Sequence, residues 1–232
     1  MSKKIMVITG TRKGIGKYLA EYYLDKGFKI IGCSRSGSDL IDDNYKHFEL
    51  DVADEQATKK LFSYIRKEYG RLDVLINNAG IASMNHVMIT PLKTIQNILN
   101  TNVIGTFLFV REASKLMKKN NFGRIINFAT VATPLKLEGE AIYAASKAAI
   151  KSMTEIFAYE LSEFNITVNA VGPTPIETDL IRSVPEEKMN ALINRQAVKR
   201  HGKMEDVSNT IDYFIDKKSD FITGQTVYLG GI

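Results

Sequence analysis

Residues 72–77, Leu-Asp-Val-Leu-Ile-Asn, form an apolar run with little polar alternation, which suits a strand covered on both faces. Six further segments of similar character recur along the 232 residues: Lys4–Ile8, Lys29–Cys33, His47–Leu50, Arg124–Ala129, Ile166–Val171 and Thr226–Leu229. Segments with helical apolar spacing lie between them, at about 15–26, 54–69, 91–100, 103–119, 143–163 and 204–216. Thr90-Pro91 reads as an N-cap followed by a first-turn proline, and Gly27 as a helix stop. Regular alternation of strand and helix implies right-handed crossovers. The expected fold class is α/β: a single-domain, Rossmann-type, doubly wound parallel sheet of about seven strands, with helices on both faces. One domain is expected over residues 1–232. Ligands of such sheets bind at the carboxyl ends of the strands, so the proline-bearing stretch around 173–200 is expected to form a substrate lid.

Composition narrows the function classes. Hydrophobic residues make up 44% and charged residues 25%, which supports an ordinary buried core. Cys33 is the sole cysteine, so no intrachain disulfide can form, and its apolar strand suggests a small buried hydrophobe. The apolar run after Lys3-Lys4 is too short for a signal-peptide core or a membrane span. A cytoplasmic protein without a membrane partner is therefore expected. The net charge of +5 comes from scattered lysine pairs with acids nearby, not from a basic stripe, so no nucleic-acid partner is expected. His47, His86 and His201 share no ligand spacing, and no metal is expected.

The first expected strand runs into Thr9-Gly10-Thr11-Arg12-Lys13-Gly14-Ile15-Gly16, and a helix follows. Glycines in such a turn let backbone amides approach a pyrophosphate, whose charge then lies at the helix N-terminus. The spacing Gly-x-x-x-Gly-x-Gly resembles that of the short-chain dehydrogenase/reductase family. Further matches follow in order: Asp51-Val52, Asn77-Asn78-Ala79-Gly80, Asn102-Val-Ile-Gly105, Tyr143-Ala-Ala-Ser-Lys147, Asn169-Ala-Val-Gly-Pro173 through Thr178, and Phe221-Ile-Thr-Gly-Gln-Thr-Val. In overall look the chain is most similar to the 3-oxoacyl-acyl-carrier-protein reductases. The resemblance implies a dinucleotide-binding and catalytic domain that moves a hydride between a nicotinamide and a carbonyl or alcohol.

The resemblance also assigns roles. Tyr143 is the expected general acid/base. Lys147, four residues on and so on the same helix face, is expected to favour the phenolate and to hold the nicotinamide ribose. Asn102 is expected to order a water beside Lys147. Thr130 stands where the family usually has serine; its hydroxyl can make the same bond to the substrate oxygen, with an extra methyl in the pocket. The resemblance places the cofactor against Gly10, Arg12, Lys13, Gly14, Ile15, Gly16, Asp51, Val52, Asn78, Ala79, Gly80, Pro173, Ile176 and Thr178, besides Tyr143 and Lys147. Thr174 replaces a usual glycine beside the nicotinamide. Met84 and Met88 are expected to pack ordinarily, with the pocket mouth as their alternative place, and Ser146, which has no His partner signature, is not expected to act as a nucleophile.

At the end of the second strand, Cys33-Ser34-Arg35 carries no carboxylate for a ribose 2′-hydroxyl. A 2′-phosphate would meet Ser34, Arg35 and the basic residues of the turn, so NADP(H) is favoured over NAD(H). Asp39, Asp42 and Asp43 compete only if their loop folds back. The expected substrate is a small ketone or alcohol, with an acyl thioester as first guess and a sugar or polyol close behind; a non-catalytic regulator that senses NADPH is the competing class, weighed down by the retained Tyr143 and Lys147. The helices holding Asn102–Lys119 and Tyr143–Glu163 are apolar on more than one face, with Phe107 on one and Ile156 on the other, and a homotetramer or homodimer is expected.

Overall fold

The computed structural model describes residues 3–178 and 184–232. Seven parallel strands form one sheet: β1 (Ile5–Thr9), β2 (Lys29–Ser34), β3 (Tyr45–Glu49), β4 (Val74–Asn77), β5 (Gly123–Phe128), β6 (Ile166–Gly172) and β7 (Thr226–Tyr228). Their order is β3-β2-β1-β4-β5-β6-β7, so the chain reverses direction across the sheet between β1 and β4. This is the expected doubly wound, Rossmann-type arrangement, and it opens a crevice at that reversal.

Successive side chains of each strand feed two separate cores. Val7 pairs with Ile31 and Leu75, Leu75 with Ile125, and Ile125 with Val168, making one apolar row across five strands. That row is buried under α2 (Glu55–Tyr69), α4 (Gly105–Lys119) and α6 (Ala141–Leu161). Met6, Ile8, Ile76 and Ile126 point the other way, beneath α1 (Gly14–Asp25) and α8 (Met204–Ile215). Each such fully buried side chain contributes about 1.5–3 kcal/mol relative to exposure. Tyr22 and Tyr23 of α1 both donate to Asp212 of α8, at 2.6 and 3.1 Å, which pins the second layer together.

Local signals explain the helix ends. Asp54 accepts hydrogen bonds from Gln56 N (2.9 Å) and Ala57 N (3.0 Å) at the start of α2, and Gly70 ends it at φ 65°. The helix expected from Pro91 begins one residue later: α3 spans Leu92–Ile98, and Pro91, in extended conformation, is its cap in place of Thr90. The two helices expected on either side of residues 101–102 are continuous. A π-helical turn, Leu99–Ile104, joins α3 to α4, since no glycine or proline interrupts it before Gly105. Gly105 permits that approach, because a Cβ there would stand 2.6 Å from Val52 Cγ2.

The proline-bearing stretch around 173–200, for which no helix was expected, holds one, α7 (Glu186–Asn194), with Pro185 before it and two glutamates in its first turn. Residues 179–183 of the expected lid lie outside the described residues. A shorter helix, α5 (Ala132–Leu135), precedes α6. Among the described residues no helix is long and apolar enough to cross a membrane.

Candidate active site

The crevice between the diverging strands is a cavity of about 870 Å³ along the carboxyl ends of β1 to β6. At its centre the loops after β1 and β4 are tied together. Asn78 Nδ2 donates to Thr9 O at 2.8 Å, and Ala79 N donates to Thr9 Oγ1 at 2.9 Å. Gly10 adopts φ +78°, where a side chain would be strained and its Cβ would meet Asn78 Nδ2 at 2.8 Å. A Cβ on Gly16 would stand 2.2 Å from Gly10 O, so the first turn of α1 packs directly on the loop backbone. Gly16 itself does not line the cavity; it allows Gly14 and Ile15 to do so. The methyl of Thr178 would lie 3.7 Å from a Cβ on Gly14, which places it over the same turn.

The far end holds the expected chemistry. Thr130, Tyr143 and Lys147 all line the cavity, from β5's carboxyl end and the start of α6. Ala132 N donates to Thr130 Oγ1 at 3.3 Å, and Thr130 hydrogen-bonds the Tyr143 phenol. Lys147 Nζ donates to Phe128 O at 2.7 Å. A Cβ on Gly80 would be 3.4 Å from both Lys147 Nζ and Asn102 Oδ1, so the β4 loop is packed against both groups. A buried ladder sets the height of α6: Asn77 Nδ2 to Asn127 Oδ1, Asn127 Nδ2 to Thr154 Oγ1, each 2.9 Å.

The electrostatics depart from expectation. Burial pushes the Tyr143 phenol up to about 12, opposed by its Thr130 bond and reinforced by the charge of Glu140. Burial pushes the Lys147 amine down to about 8. A lowered phenol beside a fully charged amine was expected from the spacing; loss of water outweighs that attraction here, because both groups sit inside protein.

Asn102 is close by but does not line the cavity. Its Oδ1 accepts from Ile81 N (2.9 Å), and its Nδ2 donates to Ile81 O (3.0 Å) and Ser146 Oγ (2.9 Å). Ser146 in turn donates to Tyr143 O at 2.7 Å. The serine not expected to act as a nucleophile thus links the π-turn to the tyrosine's own turn of helix. A hydroxyl three residues after the tyrosine, able to bond back to its carbonyl, was the available signal. Met84 takes the pocket place named as its alternative, for it lines the cavity. Thr174 is buried and bonded to Gln196, and a Cβ on Gly202 would meet its Cγ2 at 2.7 Å. The replacement of glycine therefore anchors the loop of Pro173 and Ile176, both of which line the cavity.

At the opposite end stand Arg12, Lys13, Ser34, Arg35, Asp51 and Val52. Arg12 and Arg35 have no ion-pair partner among the described residues. The Ser34 hydroxyl donates to Ser36 O at 2.6 Å, and His47 Nε2, 3.1 Å from the same carbonyl, braces the turn. Tyr45 OH, 2.8 Å from His47 Nδ1 and 2.8 Å from Thr11 Oγ1, carries the brace to the glycine loop. This chain of bonds was invisible in the sequence, where His47 had no partner at ligand spacing. Asp39 is paired with Lys17 at 2.8 Å, and neither it nor Asp42 or Asp43 lines the cavity. Burial pushes the Cys33 thiol up to about 12, in keeping with a packing role. Among the described residues no group of three His, Cys, Asp or Glu side chains could hold a metal ion.

A family model described as enoyl-(acyl carrier protein) reductase matches residues 10–231, almost the whole chain. The chain belongs to the short-chain dehydrogenase/reductase family. The 3-oxoacyl-[acyl-carrier-protein] reductase FabG of Vibrio cholerae is 32% identical over 234 residues, covering 98% of this chain and 96% of FabG. Among solved structures, ElxO with NADP bound is similar at a TM-score of 0.90 and 28% identity, covering 98% of this chain and 97% of that one. 4-Hydroxyisoleucine dehydrogenase complexed with NADH is similar at 0.88 and 28%, covering 99% and 98%. As a short-chain family member the protein is an NAD(P)-dependent oxidoreductase acting on CH–OH or C=O groups. The glycine cradle, which a Cβ would fill, and the length of the cavity fit such a dinucleotide.

The lysine carries a pH signature of its own. Its folded value lies near 8, below the ordinary 10.5, so between those values the unfolded chain holds a proton that the folded chain has released. The Lys147 contribution to stability therefore rises with pH across that window. Urea midpoints of wild type and Lys147→Met at about pH 7.5 and pH 9.5 should show a rise in the wild type that the variant lacks.

Proposed function

We propose that the protein is an NADP(H)-dependent carbonyl reductase or alcohol dehydrogenase. The observation that carries this reading is the convergence of Thr130, Tyr143 and Lys147 at one end of a cavity whose other end is a glycine turn flanked by Arg35. A bound nicotinamide dinucleotide supplies or takes up the hydride. The chain's own residues handle the proton and the geometry. Tyr143, held protonated by burial, donates its phenolic proton to the oxygen that becomes the alcohol. Thr130, whose Oγ1 accepts from Ala132 N and whose hydroxyl bonds the Tyr143 phenol, stands beside that same oxygen and steadies it. Lys147 offsets the charge left on the phenol, and its buried position strengthens that effect. Asn102 acts as a positioning residue through Ile81 and Ser146.

Tyr143→Phe should lower kcat by at least a hundredfold while dinucleotide affinity, read by fluorescence titration, changes less than threefold. Retained turnover would remove the tyrosine from its role.

Arg35 supports the choice of NADP(H). The turn Ser34-Arg35-Ser36 lines the cavity without a carboxylate, and a guanidinium there matches a 2′-phosphate in a paired, charge-assisted geometry. The NADP-bound ElxO structure and the NADH-bound dehydrogenase share this fold, so the fold admits either dinucleotide and the choice proposed here rests on the side chains of this turn. Arg35→Ser should raise the Kd for NADPH about tenfold or more and leave that for NADH within about twofold. Equal effects on both would contradict the assignment.

The FabG resemblance supports a 3-oxoacyl thioester as substrate; Glu140, in the cavity wall near Tyr143, favours a hydroxylated carbonyl compound instead. Residues 1–232 act as one catalytic unit, with α7 contributing Lys188, Met189 and Leu192, and Arg195 just after it, to the substrate-side wall. A homotetramer or homodimer through the outer faces of α4 and α6 accounts for Phe107 and Ile156, which remain 45% and 52% exposed. Light scattering after size exclusion should give a multiple of 26.0 kDa, and a monomer would contradict the assembly.

A further inference from the structure

Glu140 caps the start of α6 three residues before Tyr143 and lines the cavity. Its backbone is satisfied: its N–H donates to Leu137 O at 3.3 Å, and its carbonyl accepts from Ala144 N at 2.7 Å. Its carboxyl meets no donor among the described residues; burial alone acts on it and pushes it upward. A carboxylate that gives up water without receiving a hydrogen bond is costly. Its charge also opposes ionisation of the neighbouring phenol, against the chemistry of the site. A donor brought in by the ligand removes both penalties, because it replaces the lost water and spreads the negative charge.

We propose that Glu140 is a specificity-determining residue, accepting a hydrogen bond from a hydroxyl beside the reacting carbon, so that the preferred substrate is a polyhydroxylated carbonyl or its alcohol. This rests on the redox reading of Tyr143 given above. Tyr143 and Glu140 lie one helical turn apart, the spacing at which two side chains meet two neighbouring groups of one small ligand. An aliphatic oxoacyl chain in the same place would leave the carboxylate dry and unpaired. An ammonium would satisfy it, but Lys147, Lys188 and Arg195 outnumber Glu138 and Glu140 among the residues lining this end. A second cation is repelled there, and a neutral hydroxyl is not. The apolar side chains of Met84, Leu137, Met189 and Leu192 cover the remainder of the wall, enough for a short carbon skeleton.

The test compares hydroxyacetone and dihydroxyacetone with acetone, butanone and a 3-oxobutanoyl thioester, each with NADPH. In the wild type kcat/KM should favour the hydroxylated ketones by tenfold or more. Glu140→Leu should erase that preference through KM, and Glu140→Gln, whose amide oxygen still accepts, should retain part of it. Calorimetry of dihydroxyacetone binding to Tyr143→Phe protein saturated with NADP should weaken about tenfold on adding Glu140→Leu. Turnover of all ketones without hydroxyl preference overturns the Glu140 assignment and leaves the redox reading standing. A Glu140→Leu variant that shifts the pH profile of kcat at unchanged KM also overturns it, since that marks a proton relay. Absence of turnover with every ketone, alcohol and thioester overturns the redox reading and this inference together.

Discussion

The clasp between Thr9 and the Asn78-Ala79 pair holds the two diverging halves of the sheet at a fixed opening. Everything on the carboxyl side of the sheet is measured from it. On one side the turn from Gly10 to Gly16 is pressed so close to its own helix that no side chain fits at Gly16. On the other, Gly80 is packed against Asn102 and Lys147, so the loop that leaves β4 reaches the end of the cavity that holds Tyr143 within a few residues. A single seam thus sets both the cradle for the dinucleotide and the distance from it to the tyrosine. Loosening it would change both together.

The polar groups behind the cavity divide into those that face it and those that hold others in place. Tyr143, Thr130 and Lys147 face inward. Asn102, Ser146, Asn77, Asn127 and Thr154 are bonded to one another or to backbone and leave little of their hydrogen-bonding capacity unused. Satisfied buried networks of this kind rigidify what they touch, and here they fix the pitch and height of α6. His47, Tyr45 and Thr11 do the same for the turn at the other end. The π-turn is part of this scheme: widening the helix at Leu99–Ile104 brings Asn102 to the level of Ile81 without breaking the rod.

Much of this was legible in the sequence. Seven apolar runs gave seven strands, with ends displaced by one or two residues, because period and β-branched content report burial on both faces of a parallel sheet. The glycine turn, the Asn-Asn-Ala-Gly loop and the Tyr-x-x-x-Lys spacing all met at one cavity. What escaped was non-local. The partners of Ser146 and His47 come from other strands and helices, so no spacing along the chain announces them. The direction of the tyrosine and lysine shifts escaped for the same reason: spacing predicts attraction between two charges, and only the enclosing walls reveal how much water each has lost. Helix α7 was hidden by the prolines around it, although Pro185 followed by two glutamates is a sound helix start.

On the proposed reading, burial also lets one site suit proton transfer in either direction. In the enclosed cavity burial holds the phenol protonated and lowers the amine to about 8, which leaves the amine charged at neutral pH. Positive charge arriving with an oxidised nicotinamide would tilt the pair toward phenolate, the form that accepts a proton from an alcohol. A neutral, reduced ring would leave the phenol protonated, the form that donates to a carbonyl. The protein need not choose a direction by its own charges. On the proposed reading the redox state of the bound dinucleotide decides which way the proton moves, and Glu140, whose charge acts on the phenol, ties that balance to what the substrate carries.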